Sequence, residues 1–137
     1  MTRAIEIVAA VIRDHRGHVL TVRKRQTAAF MLPGGKRQGG EDDLAALARE
    51  LREELGSLLI DAEHLGTFDA PAANEPDTRV YGAIYLAKVD GEPRAQAEIE
   101  ELRWVPLSGD ETLRLAPLLE RQVLPRLRDR ESQSETK

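Results

Sequence analysis

The stretch from Gly35 to Gly56 limits the possible folds more than any other part of this chain. It runs Gly35-Lys36-Arg37-Gln38-Gly39-Gly40-Glu41, then seven residues of spacer, then Arg49-Glu50-Leu51-Arg52-Glu53-Glu54-Leu55-Gly56. Leu44, Leu47, Leu51 and Leu55 recur at helical spacing, so an amphipathic helix lying on a core is expected. Glu41, Asp42 and Asp43 favour the positive end of its dipole, and Gly56 is the expected stop. Residues three and four apart are neighbours on a helix. Glu50 therefore projects beside Glu53 and Glu54, on a face opposed to the leucines, and Arg49 lies one turn from Glu53. Exposed like charges this close repel by about 0.2–0.5 kcal/mol per pair. A divalent cation held between them turns that cost into affinity, and hard oxygen ligands suit Mg²⁺ or Mn²⁺. Taken alone, the helix could be a surface element with a solvated acidic face.

The flanking segments read as strands. Residues 3–13 are apolar on both alternating faces apart from Glu6, which suggests a central strand covered on both sides. Asp14-His15-Arg16-Gly17 supplies a turn. In residues 18–25, Leu20 and Val22 face one way and Thr21, Arg23 and Arg25 the other, so a hairpin is expected. Pro33-Gly34-Gly35 and Gly39-Gly40 bracket a loop whose backbone can approach a ligand closely. Residues 58–69 form a strand region, 70–77 a loop, 78–89 a strand and 101–105 another, with Asp90-Gly91 as a turn. Beyond Pro106, Leu115, Leu118, Leu119 and Leu124 have helical spacing, and Pro125 is expected to kink or divide that helix. Residues 1–127 are read as one domain and 128–137 as a polar, flexible tail. Strands around one strong helix, with a second at the end, indicate α/β or α+β.

Composition narrows the class. A chain of 137 residues with 41% hydrophobic and 32% charged residues suits one soluble globular domain. The apolar run Ile5 to Ile12 is interrupted by Glu6 and is too short to span a bilayer. With no basic leader or cleavage site beside it, a cytoplasmic protein without membrane contact is expected. The absence of cysteine removes disulfides and thiolate metal sites. A net charge of −4 argues against a nucleic-acid polymer as partner, though not against a single nucleotide. His15, His18 and His64 lack zinc-ligand spacing and receive no role.

Gly35, Glu41, Arg49, Glu50, Leu51, Glu53, Glu54 and Gly56 fall in register with a known pattern. The segment resembles the Nudix box, G-x5-E-x7-R-E-U-x-E-E-x-G-U, where U is bulky and aliphatic. Ser57 stands at the last U position, a departure that touches helix-end packing rather than chemistry. Phe30-Met31-Leu32-Pro33-Gly34-Gly35 is similar to the family's entry into the box. The resemblance implies the Nudix fold, a mixed β-sheet sandwiched between α-helices. It also implies Mg-dependent (or Mn-dependent) cleavage of a phosphoanhydride in a nucleoside diphosphate linked to another group.

Such a linkage resists attack mainly through its own negative charge. Its cleavage needs cations on the phosphate oxygens and a carboxylate to take a proton from water. Glu53 and Glu54 are the leading metal ligands, and Glu50 could be ligand, base or both. Arg49 can fix a glutamate through paired hydrogen bonds. The family resemblance implies the same roles and adds the backbone oxygen of Gly35 to the metal sphere. Either Glu50 or a glutamate on a loop near the penultimate strand can serve as base. Glu98 to Val105 resembles the family's later E-x-x-E-U-x-W-U segment, which makes Glu98 the loop candidate and Glu101 the second. Phosphate contacts could come from Arg23 or Arg25, or from Lys36 and Arg37. Phe30, Phe68, Tyr81 and Tyr85 could stack on a base, whereas Trp104 is read as structural.

Several readings compete. A MutT-like triphosphate pyrophosphohydrolase, releasing monophosphate and pyrophosphate, is favoured by small size and plain architecture. The alternative within the class acts on ADP-ribose, a nucleotide sugar or a dinucleoside polyphosphate, for which Pro71 and Pro76 are a loose hint. No coenzyme A-type or NADH-type signature flanks the box. A non-catalytic nucleotide sensor would be expected to lose glutamates that are present here. Isoprenoid diphosphate isomerisation relies on cysteine and is discounted. Either a monomer or a homodimer is compatible with the sequence.

Overall fold

The computed structural model describes residues 2–135. Its organising strand is β1 (Arg3–Val11), whose second half is apolar on both faces because both are covered. Val8 and Ala10, with Ile12 just beyond the strand, face one core, while Ala9 and Val11 face the other. β1 lies between β3 (Gly34–Gly35), antiparallel to it, and β5 (Thr78–Asp90), parallel to it. β4 (Leu58–Pro71) completes this mixed sheet antiparallel to β5. β2 (Val19–Lys24) and β6 (Ile99–Val105) form a separate antiparallel pair.

The expected hairpin of residues 3–25 exists only at its tip. Gly17 donates its N–H to Asp14 O at 2.9 Å and Arg13 bridges Val19, but β1 and β2 then pair with different strands. The reason is burial: Val19 to Val22 are covered on both faces, which a solvent-facing hairpin would not allow.

The helix α1 (Asp43–Leu55) packs on the first core. The Asp42 side chain accepts from Ala45 N at 2.8 Å as its N-cap. Gly56 takes the left-handed conformation, φ 68°, and returns its N–H to Arg52 O at 3.0 Å. Leu47, Leu51 and Leu55 are fully buried as expected. Two details differ. Leu44 is 46% exposed, and Ala46 takes the buried place in that turn. Glu54, three residues from Leu51, lies on the core side at 2% exposure, so the acidic face does not simply oppose the leucines.

The second helical region covers the opposite face through Leu118, Leu119, Val123, Leu124 and Leu127. Leu115 lies outside it, bridging Phe30 as extended backbone. The region opens with a π-helical stretch (Leu118–Val123) and continues as α2 (Leu124–Glu135). Pro125 has no N–H to give, and the wide turn just before it, with Leu124 N–H donating to Leu119 O, accommodates the interruption. Residues 128–135 continue α2, where Glu131 meets Arg13 at 2.6 Å. Residues 136 and 137, the end of the expected tail, lie outside the described residues. The sheet is therefore sandwiched between α1 and α2, an α+β architecture. No helix among the described residues is long and apolar enough to cross a membrane.

Candidate active site

The site forms where the glycine loop crosses α1. Gly34 adopts φ 152°, and a Cβ there would stand 2.1 Å from Val8 O, so only glycine allows this pairing with β1. A Cβ on Gly35 would stand 2.7 Å from the Glu50 carboxyl carbon. The loop thus brings main chain directly onto the helix carboxylates. Gly34 N–H donates to Glu54 Oε1 at 3.0 Å, tying the loop to the helix.

Arg49 is the hub. Its Nε and Nη2 grip both oxygens of Glu41 at 2.7 and 3.0 Å, Nη2 also reaches Lys36 O at 3.0 Å, and Nη1 donates to Glu50 Oε1 at 2.8 Å. Glu53 lies 3.6 Å from Nη1. The paired bonds from Arg49, with a further one from Gln38 N–H, hold the Glu41 carboxyl at about 2, well below its ordinary value. The same Glu41 contact raises the already high value of Arg49. Arg49 thereby fixes Glu50 and fastens the 36–41 loop to the helix.

Electrostatics single out Glu54 and Glu50. Burial pushes the Glu54 carboxyl up to about 8, with the Gly34 N–H opposing and the Glu50 charge adding to the rise. Glu50 is raised as well, first by burial, with Arg49 opposing. Glu54 Oε2 is buried and has no hydrogen-bond partner among the described residues. A buried oxygen left without a donor is costly, and a cation would satisfy it while reversing the burial effect. The donor set of carboxylates and a glycine carbonyl is the hard-oxygen chemistry of Mg²⁺ or Mn²⁺. Among the described residues, no three acidic or histidine side chains already converge as a cage. Glu50 and Glu53 are turned to Arg49 instead.

An open depression of about 450 Å³ lies over this floor, lined by Lys24, Gly34, Gly35, Lys36, Glu50 and Glu98, among others. The structure brings Gly35, Lys36, Glu50 and Glu98 together there, with Arg49 beneath. Arg23 and Arg25 do not reach it. Arg23 donates to Thr27 O, pairs with Glu101 and lies 5.9 Å over the Phe30 ring, while Arg25 pairs with Glu100. Strand alternation separates Arg23 from Lys24, the last residue of β2, which lines the depression and meets Glu98 at 3.5 Å, while Arg25 lies beyond the strand. Lys24 escaped the sequence reading, although its parity with Leu20 and Val22 was the available signal. Arg37 lines the depression but is engaged by Asp43 at 2.7 Å and Glu6 at 3.1 Å. Glu101 is held by Arg103 and Arg23, which lower its carboxyl, Arg103 most. Phe30 is buried in the core and Phe68 packs against it, while Tyr85 donates to Asp43 at 2.6 Å. Tyr81 is 40% exposed on β5. Beside β1, a small apolar cavity of about 80 Å³ is lined by Ile7, Leu32, Pro71, Val80 and Leu118, among others.

A mixed sheet between two helices, with a glycine loop docked on helix-borne glutamates, is the arrangement of one protein class. Residues 4–127 match the family model for the NUDIX domain, and the chain belongs to the Nudix family. It is 36% identical to a Mycobacterium tuberculosis protein provisionally named 8-oxo-dGTP diphosphatase 2, over 77% of this chain and 83% of that one. It is 28% identical to the 8-oxo-dGTP diphosphatase of Escherichia coli, over 78% and 84% of the respective chains. Among solved structures, the MutT protein from Methanosarcina mazei superposes with a TM-score of 0.73 at 27% identity, covering 96% of each chain.

Proposed function

We propose that this chain hydrolyses a nucleoside triphosphate to the monophosphate and pyrophosphate. The reaction class is carried by the family match over residues 4–127, and the buried oxygen of Glu54 beside Glu50, unpartnered among the described residues, supports a cation site there. The choice of a triphosphate rests on the relatives named 8-oxo-dGTP diphosphatases, which puts 8-oxo-dGTP first among substrates to try. ADP-ribose, nucleotide sugars and dinucleoside polyphosphates come after it.

Glu50, Glu53, Glu54 and the carbonyl of Gly35 would hold Mg²⁺ or Mn²⁺, which when bound neutralises phosphate oxygens. Lys24 and Lys36 line the same depression and meet the remaining phosphate charge. Arg49 holds Glu50 in direction and does not touch substrate. Glu98 lines the same depression as Glu50, is paired with Lys24, and takes the proton of the attacking water. The protein acts in the cytoplasm on a small nucleotide, as monomer or homodimer, away from nucleic-acid polymers and membranes.

The test is product analysis on the common ribo- and deoxynucleoside triphosphates, 8-oxo-dGTP, ADP-ribose and diadenosine polyphosphates. Each is run with Mg²⁺ and with EDTA. Pyrophosphate released from a triphosphate only with Mg²⁺ is the expected result. Cleavage confined to ADP-ribose or a dinucleotide overturns the substrate, and tight binding without turnover overturns the reaction.

A further inference from the structure

The segment after β5 is fastened to the C-terminal end of α1 rather than left free. Ser57 is buried, and its hydroxyl donates to Gly91 O at 3.0 Å. Arg94 N–H then reaches Leu55 O at 2.9 Å and Gln96 N–H reaches Glu54 O at 3.0 Å. The Gln96 side-chain amide adds contacts to Arg52 O at 3.3 Å and Glu53 O at 3.4 Å. Of these acceptors, Glu53 O, Glu54 O and Leu55 O are carbonyls that a helix leaves open at this end, while Arg52 O already accepts from Gly56 N–H.

The next residue, Ala97, has φ 52°, a backbone conformation that side-chain-bearing residues rarely adopt. It closes a turn in which Ile99 N–H donates to Gln96 O at 2.9 Å. Glu98 follows directly. Its carbonyl accepts from Arg25 N–H at 2.9 Å, and its carboxylate meets Lys24 at the edge of the depression. The Glu98 side chain is itself 60% exposed, so packing does not fix it. Its place depends on its pair with Lys24 and on the backbone that carries it, and strained backbone persists only where its surroundings hold it.

We propose that Gln96 is a positioning residue: by contacting the last carbonyls of α1 it holds the 91–98 loop, and so places Glu98 in the depression that Glu50 lines. The proposal rests on the reading of Glu98 as the group that takes the proton. Ser57, the residue that departs from the family pattern, belongs to the same fastening through Gly91.

The test uses the full chain and whichever of dGTP or 8-oxo-dGTP it turns over faster, at saturating Mg²⁺. Gln96→Ala is expected to lower kcat about 10- to 100-fold with KM changed less than about twofold, since small misplacement of a reacting group costs rate more than binding. In a Glu98→Gln background the same change is expected to cost less than about twofold, because both act through one group. In Gln96→Ala, hydrogen exchange at the main-chain amides of Arg94 and of the substituted residue is expected to quicken at least about tenfold, with amides of β5 unchanged.

Full kcat in Gln96→Ala, an equal loss in both backgrounds, or unchanged exchange at the loop overturns the proposal. Full kcat in Glu98→Gln removes Glu98 from the reaction and the proposal with it. Absence of any turnover by the wild type instead removes the hydrolase reading, and the exchange rates then decide whether Gln96 holds the loop.

Discussion

The two walls of the depression are built differently. The α1 side is local: Glu50, which lines the depression, shares one helix with Arg49, Glu53 and Glu54, and the loop that completes it ends at Glu41, within the reach of Arg49. The facing wall is assembled from distant segments: Lys24 comes from the end of β2 and Glu98 from the loop before β6, and the two meet only through tertiary structure. A wall built on one helix reads out as a spacing pattern. A wall built on strand parity and loop fastening does not, and its residues depend on contacts far away in sequence.

Glu53→Gln is expected to lower metal-dependent turnover on the order of a thousandfold with the fold intact, because a ligand carboxylate is worth several kcal/mol and each 1.4 kcal/mol is tenfold. Near-normal steady-state kcat would remove Glu53 from the metal site. Arg49→Lys keeps the charge but loses the two-pronged grip on Glu41, and about a 10- to 100-fold loss of activity or metal affinity is expected. Titrating activity with Mg²⁺ in that variant checks it; a wild-type curve would show that the hub is decorative. On the facing wall, Lys24→Met is expected to raise KM about tenfold, as one phosphate contact is lost. Arg25→Met should leave KM within about twofold, a substitution on the outer face being mild. Equal effects from the two would contradict the parity of β2.

How much was legible in the sequence follows from the same contrast. The register of Glu41, Arg49, Glu50, Glu53 and Glu54 could be read directly, as could the stop at Gly56 and the burial of Leu47, Leu51 and Leu55. The exposure of Leu44 and the burial of Glu54 could not, because both depend on how the helix sits against β1 and the glycine loop. The split of the expected hairpin was hidden for a related reason: buried alternation says that a strand is covered, not by which neighbour. Arg23 and Arg25 stood out by charge, whereas Lys24 was marked only by its parity with Leu20 and Val22. Nothing local in Gln96 announces a contact with carbonyls some forty positions earlier, at 3.3 Å from Arg52 O.

The most direct test of the account is calorimetric titration of Mn²⁺ into the EDTA-stripped protein, comparing wild type with Glu54→Gln. Burial holds the Glu54 carboxyl up to about 8, so a proton competes with the ion, and wild-type binding should tighten as pH rises towards that value. Glu54→Gln should bind weakly, with little dependence on pH over that range. Equal affinity in the two proteins at every pH would contradict the claim that the buried oxygen of Glu54 awaits a cation.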